Sequence, residues 1–232
     1  MNLVSSYIFD FVSLFFPETC AACGSVMVKN ETVVCTSCLF ELPATRFHYD
    51  PENSLIRQFY GRFPFVFAIA CFYYSEGSKV QRLIHKLKYK GKPEVGLWIG
   101  RWYGHQVADF IRKQKVDFII PVPLHRDRLK KRGYNQSERI AAGLAQSLDC
   151  TVLTDCLIRE IPTETQTRKS RQLRLDNMEH VFGLRQPERI AGRHILLVDD
   201  VVTSGATLEA CALCLSAVPG VKVSVLAAAY TV

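Results

Sequence analysis

The stretch Ile195-Leu196-Leu197-Val198-Asp199-Asp200-Val201-Val202-Thr203-Ser204-Gly205-Ala206-Thr207 constrains this chain more than any other. Four apolar residues make a central strand, two carboxylates end it, and a hydroxyl-rich loop with one glycine leads into a helix. In an open α/β sheet, ligands bind beyond the carboxyl ends of the strands, where such a loop must lie. The N–H groups of residues 203–207, at a helix N-terminus, form a concavity suited to an anion. Gly205 lets the backbone approach a phosphate closely, and Thr203, Ser204 and Thr207 add hydroxyl donors. Asp199 and Asp200 would repel a bare phosphate. They can accept hydrogen bonds from a sugar diol beside one, so the pattern points to a phosphorylated sugar. An Asp-Asp turn followed by a threonine N-cap explains each piece singly, but not the whole string.

The surroundings read as α/β. Strands are expected at Phe65–Tyr74, Asp117–Pro121, Thr151–Ile158, His194–Val198 and Val221–Tyr230. Helices are expected at Val80–Tyr89, Glu94–Gln114, Ser137–Leu148 and Thr207–Ala217. This alternation implies a mainly parallel sheet flanked by helices on both faces. Residues 39–64 are punctuated by Pro43, Pro51, Gly61 and Pro64 and read as a connector.

Cys20-Ala-Ala-Cys23, eleven intervening residues and Cys35-Thr-Ser-Cys38 have the spacing of a zinc ribbon. Each C-x2-C knuckle presents two thiolates, and two knuckles close a tetrahedron with no open position, so the zinc would be structural. A redox dithiol is the competing reading. Val26, Val28, Val33 and Val34 would supply short strands between the knuckles. Cys211-Ala-Leu-Cys214 looks similar, but lies in a helical stripe with Leu208, Ala212 and Leu215 and reads as core, as do Cys71, Cys150 and Cys156. The division expected is an N-terminal helix and ribbon at 1–45, a connector at 46–64 and an α/β domain at 65–232.

The net charge of +7 favours anionic partners without separating small phosphates from nucleic acid or membrane. The opening run MNLVSSYIFDFVSLFF has no basic n-region, no cleavage site and too few residues for a span, which excludes a transmembrane segment there. Leu3, Tyr7, Phe11, Leu14 and Phe15 recur at helical spacing. Residues 1–16 therefore read as an amphipathic helix on the protein or a partner, with peripheral membrane contact as the alternative. Nine cysteines without an export signal place the chain in the cytoplasm.

Further blocks accompany the 195–207 string: Pro121-Val122-Pro123-Leu124-His125, Arg132-Gly133-Tyr134-Asn135-Gln136, Thr165-Gln166-Thr167 running on to Asn177 and Phe182, and Lys86-Leu87-Lys88-Tyr89-Lys90-Gly91. With the cysteine pairs, these resemble the ComF/GntX family over nearly the whole chain. The string itself resembles the signature by which type I phosphoribosyltransferases bind 5-phosphoribosyl-1-pyrophosphate (PRPP). The resemblance implies a type I phosphoribosyltransferase-like fold and an association with competence, the uptake and use of external DNA. It implies that Asp199 and Asp200 hold the ribose hydroxyls and that Thr203, Ser204, Gly205, Ala206 and Thr207 hold the 5-phosphate. The loop after Pro121-Val122-Pro123 would approach the pyrophosphate, bridged by Mg2+. Ser204 stands where threonine is frequent and keeps the hydroxyl.

Arg126, Arg128, Lys130, Lys131 and Arg132 crowd past the Pro121–Pro123 strand end, where pyrophosphate suits charge-assisted bonds. A polar stretch, 163–177, with Arg168, Lys169, Arg171 and Arg174, reads as a cover over the site. Arg132 and Arg171 are the two basic ligands expected, and His125 is either a ligand or a structural loop histidine. Two functions follow. One is an enzyme transferring phosphoribosyl from PRPP to an acceptor that the sequence does not name. The other is a non-catalytic, PRPP-responsive module that binds single-stranded DNA and serves DNA-uptake machinery, using aromatics such as Tyr60, Tyr89 and Tyr134 near basic residues.

Overall fold

A computed structural model describes residues 17–159 and 181–231. The N-terminal run through Phe16, the stretch 160–180 with Arg171 and the expected cover, and residue 232 lie outside the described residues.

Five strands form one parallel sheet in the order β1 (Ala68–Tyr74), β7 (Lys222–Thr231), β6 (His194–Val202), β2 (Phe118–Pro121) and β3 (Thr151–Val152). The central strands are buried on both faces and accordingly read as apolar runs. β6 does not stop at Val198 as expected. Its pairing with β7 continues through Asp199↔Ala227 and Val201↔Ala229, so both aspartates sit on a paired strand. The expected strand at 151–158 divides in two. Its first residues are β3, while β4 (Leu157–Arg159) turns away to pair antiparallel with β5 (Phe182–Leu184).

The longer helices begin where the residue types dictate. The Ser78 side chain caps α3 (Lys79–Tyr89) by accepting from Gln81 N, and Val80, Leu83, Ile84 and Leu87 pack inward. Pro93 opens α4 (Pro93–Gln114), and Asn135 caps α6 (Gln136–Leu148). α7 (Ala206–Ser216) buries Leu208, Cys211, Ala212 and Leu215, the stripe read from sequence. Two short helices, α1 (Thr36–Glu41) and α5 (Arg126–Arg132), flank the ends of the fold.

α4 and α6 meet backbone to backbone. A Cβ on Gly100 would stand 2.1 Å from the Ile140 carbonyl oxygen, and one on Gly143 would stand 2.2 Å from that of Leu97. No side chain fits between them.

Residues 46–64, expected as a connector, hold a 3-10 turn (Phe47–Tyr49) and a helix, α2 (Ser54–Phe59). Leu55, Ile56 and Phe59 are buried. The Asn53 amide reaches the Ala68 carbonyl at 3.1 Å, and Ala44 bridges Phe72 along the free edge of β1. The segment is a structural wall of the α/β body. Between the cysteine knuckles, the expected valine strands reduce to one isolated bridge, Thr19↔Val26, with Val26 and Val28 largely exposed. Among the described residues, no helix is long and apolar enough to cross a membrane.

Candidate functional site

The 203–207 loop is held from behind by α2 and the turn after it. Gln58 Nε2 donates to the Thr203 carbonyl at 2.7 Å, and Arg62 Nη1 donates to the Ser204 carbonyl at 2.7 Å. Glu209 fixes the guanidinium, with Oε2 3.1 Å from Nε and 2.5 Å from Nη2. In a planar trans peptide the C=O and N–H point in opposite directions. Anchoring the carbonyls of 203 and 204 on this wall therefore turns the amides of Ser204 and Gly205 away from it. Among the described residues, no acceptor meets those two amides or that of Thr207, while the Ala206 amide lies 3.4 Å from Ser204 Oγ. Gly205 has φ +75°, and a Cβ there would lie 2.4 Å from Phe59 Cε1. The glycine is thus demanded by the turn and by the ring behind it.

α6 reaches the two aspartates with its first residues. Ser137 Oγ donates to Asp199 Oδ1 at 3.0 Å, and Gln136 Nε2 donates to Asp200 Oδ2 at 2.5 Å. From α3, Lys88 Nζ lies 2.7 Å from Asp200 Oδ1. Asp200 is buried, whereas Asp199 keeps some access to solvent. Burial, followed by the neighbouring Asp200 charge, pushes the Asp199 carboxyl up to about 7. Arg132 donates to Gln136 Oε1 and lies 5.6 Å above the Tyr89 ring. Asn135 Nδ2 binds the Val122 carbonyl at 2.9 Å and Tyr134 Oη the Leu87 carbonyl at 2.5 Å, latching α6 to β2 and α3.

Two cavities flank this network and share Lys88 and Tyr89. One, of about 440 Å³, is lined by Arg128, Lys131 and Arg132. The other, of about 690 Å³, runs along α3 to Val201 and Thr203.

The four N-terminal cysteines converge, with all Sγ atoms within 4.8 Å of one another and Cys23 Sγ 3.8 Å from Cys35 Sγ. Zn–S bonds of ~2.3 Å in a tetrahedron imply S···S edges of ~3.8 Å, so the donor set fits zinc. Amides point at the sulfurs: Ala22 N lies 3.4 Å and Cys35 N 3.3 Å from Cys20 Sγ, and Ser25 N 3.4 Å from Cys23 Sγ. The hydrogen bonds from Ser25 hold the Cys23 thiol down at about 6, while burial pushes Cys38 up to about 12. The cluster docks on α3, where Lys86 Nζ meets the Cys20 carbonyl at 3.2 Å and Lys79 pairs with Glu41.

Residues 135–229 match the family described as Phosphoribosyl transferase domain. The DNA utilization protein YhgH of Escherichia coli O157:H7 is 36% identical over 129 residues, 54% of this chain and 56% of that protein. Competence protein F of Haemophilus influenzae is 32% identical over 131 residues, covering 55% and 57%. Competence protein ComFC of Bacillus subtilis is 26% identical over 144 residues, covering 61% and 55%. The chain thus resembles competence and DNA-utilization proteins over little more than half of its length. It spans about half the length of the curated relatives it matches.

The expected ligands Asp199, Asp200, Thr203, Ser204, Gly205, Ala206 and Thr207 cluster at one end of β6 and the start of α7. Arg132 stands beside them, held through Gln136. Arg171 lies outside the described residues. His125 is an N-cap, its Nδ1 accepting from Asp127 N at 3.3 Å. Tyr134 is a latch, Tyr60 stacks on Phe65 yet stays 62% exposed, and Tyr89, 68% exposed, lines both cavities beside the site. Lys88, Gln136 and Ser137 were assigned no role by the sequence reading, although the first two lie inside blocks it singled out. Gln58 and Arg62 were missed altogether, because nothing in the connector marks them.

Proposed function

We propose that this protein binds PRPP at the end of β6 and transfers its phosphoribosyl group to an acceptor. The observation that carries this reading is the α2 wall. It turns the Ser204 and Gly205 amides outward, beside the two carboxylates that this reading gives to the ribose diol. The 5-phosphate would sit on the 204–207 amides with the Thr203 and Thr207 hydroxyls, and the ribose hydroxyls on Asp199 and Asp200. The pyrophosphate would extend into the cavity of Lys88, Arg128, Lys131 and Arg132. Transfer forms a bond from the acceptor's nucleophilic atom to the anomeric carbon and breaks the carbon–oxygen bond to pyrophosphate. The electron pair leaves with the pyrophosphate, which the cations stabilise. Magnesium, when bound with the pyrophosphate, neutralises part of that charge. Asp199 and Asp200 are the protein carboxylates at hand, which suits a metal held chiefly by ligand oxygens and water. Calorimetry of PRPP with Mg2+ tests the reading. Asp200→Asn should weaken binding with the domain still folded, and unchanged affinity would overturn the site.

A second reading, a non-catalytic PRPP-responsive module that binds single-stranded DNA, is favoured by exposed Tyr89 between two cation-lined cavities. The relatives named for competence and DNA utilization support a role in that process under either reading. Pyrophosphate release that depends on an acceptor favours the enzyme. A mobility shift with single-stranded DNA and a steep salt dependence favours the module.

A further inference from the structure

The larger cavity is the feature that this function leaves unexplained. It opens against Val201 and Thr203, at the loop that would hold PRPP, and its volume of about 690 Å³ is that of a small-molecule site. One wall is the outward face of α3. Arg82 and Lys86 stand one turn apart there, as do His85 and Tyr89, and Lys90 follows. On the opposite side Val80, Leu83 and Leu87 are buried in the body, while Ile84, also buried, borders the cavity. Among the described residues, no carboxylate lines the cavity, and Arg82, His85 and Lys90 make no ion pair. The His85 and Tyr89 rings lie with centroids 5.1 Å apart and planes tilted by 47°, and Tyr89 is 68% exposed, so its ring is open for stacking on the same wall.

Resting on the PRPP reading above, we infer that this cavity receives the acceptor and that the acceptor is a planar ring carrying negative charge. A neutral ring would bring no countercharge to Arg82 and Lys90, which make no ion pair among the described residues. An anionic ring supplies the missing countercharge and stacks on Tyr89. A charge-assisted hydrogen bond contributes about twice what a neutral one does, so discrimination between an acid and its neutral counterpart of about tenfold or more is expected.

Matched probes test this by calorimetry on the full chain, with ribose 5-phosphate present at saturation. Orotate is compared with uracil, and nicotinate with nicotinamide, each pair differing in charge at one substituent. In at least one pair the acid should bind about tenfold tighter. Arg82→Gln should cut that preference several-fold and leave ribose 5-phosphate affinity unchanged. If ribose 5-phosphate binds and both pairs bind equally or not at all, the inference falls and the PRPP reading stands. If ribose 5-phosphate fails to bind, the PRPP reading itself falls. If neither acid binds while Arg82→Gln abolishes retention of an oligothymidylate, the wall is a strand groove and the inference is overturned.

Discussion

Lys88 reaches from α3 to a carboxylate that has little other contact with water. The Asp200 side chain is 6% exposed, that of Lys88 is 24%, and the two are 2.7 Å apart. Removing one member of a fully buried pair costs about 3–5 kcal/mol, because the other charge is stranded. Here Gln136 still donates to Asp200, and Lys88 is not wholly desolvated. Lys88→Met should therefore cost about 2–3 kcal/mol, roughly a 30- to 150-fold shift in the unfolding equilibrium. Urea denaturation at neutral pH measures it. In the Asp200→Asn background, the same substitution should cost less than half as much, since no stranded charge remains. A Lys88→Met loss under about 0.5 kcal/mol, or additive effects in the double variant, would show that the pair is not a true interaction, and the placement of α3 over the site would be wrong.

Gly205→Ala should destabilise by about 2–4 kcal/mol from the left-handed turn and the clash with Phe59 together, with Phe59→Leu recovering only the clash; thermal denaturation of the three variants separates them. Asp199 should leave a mark on pH dependence. Its native value of about 7 lies above its ordinary 3.8, so the folded chain holds a proton that the unfolded chain has released. Stability from this group is lost as pH rises from about 4 to 7 and is flat above; Asp199→Asn should remove that slope in urea titrations at pH 5 and 8. Elemental analysis should find about one zinc per chain, and Cys38→Ser should lower it and loosen the module from α3, read as faster proteolysis after the knuckles.

The strand–loop–helix at 195–207 was legible because its chemistry is local. Apolar run, carboxylates, hydroxyls and glycine all fall within thirteen consecutive residues. The four-cysteine cluster was legible for the same reason, as knuckle spacing largely determines its geometry. What escaped the sequence reading depends on pairs far apart in the chain. Gln58 and Arg62 matter only because α2 folds against a loop more than 140 residues later. Pro51 and Gly61 marked their segment as a connector, whereas Leu55, Ile56 and Phe59 make it a packed helix. The aspartates were placed after their strand because carboxylates signal its end, yet pairing to β7 carries β6 past them. Gly96, Gly100 and Gly104, spaced at four, went unread within a helix whose apolar face drew the attention.

Those glycines set the tolerance of the whole site. Because Gly100 on α4 and Gly143 on α6 touch main chain directly, the height of α6 above the sheet is gauged by bare backbone, which cannot repack as side chains do. The leading tip of α6 carries the amide and hydroxyl that grip the acidic pair. A single methyl group at position 100 on α4, pressing on α6 between Ile140 and Leu144, would pry the rods apart and lift the grip off its targets. Precision at the two aspartates is thus stored in a seam that never meets them.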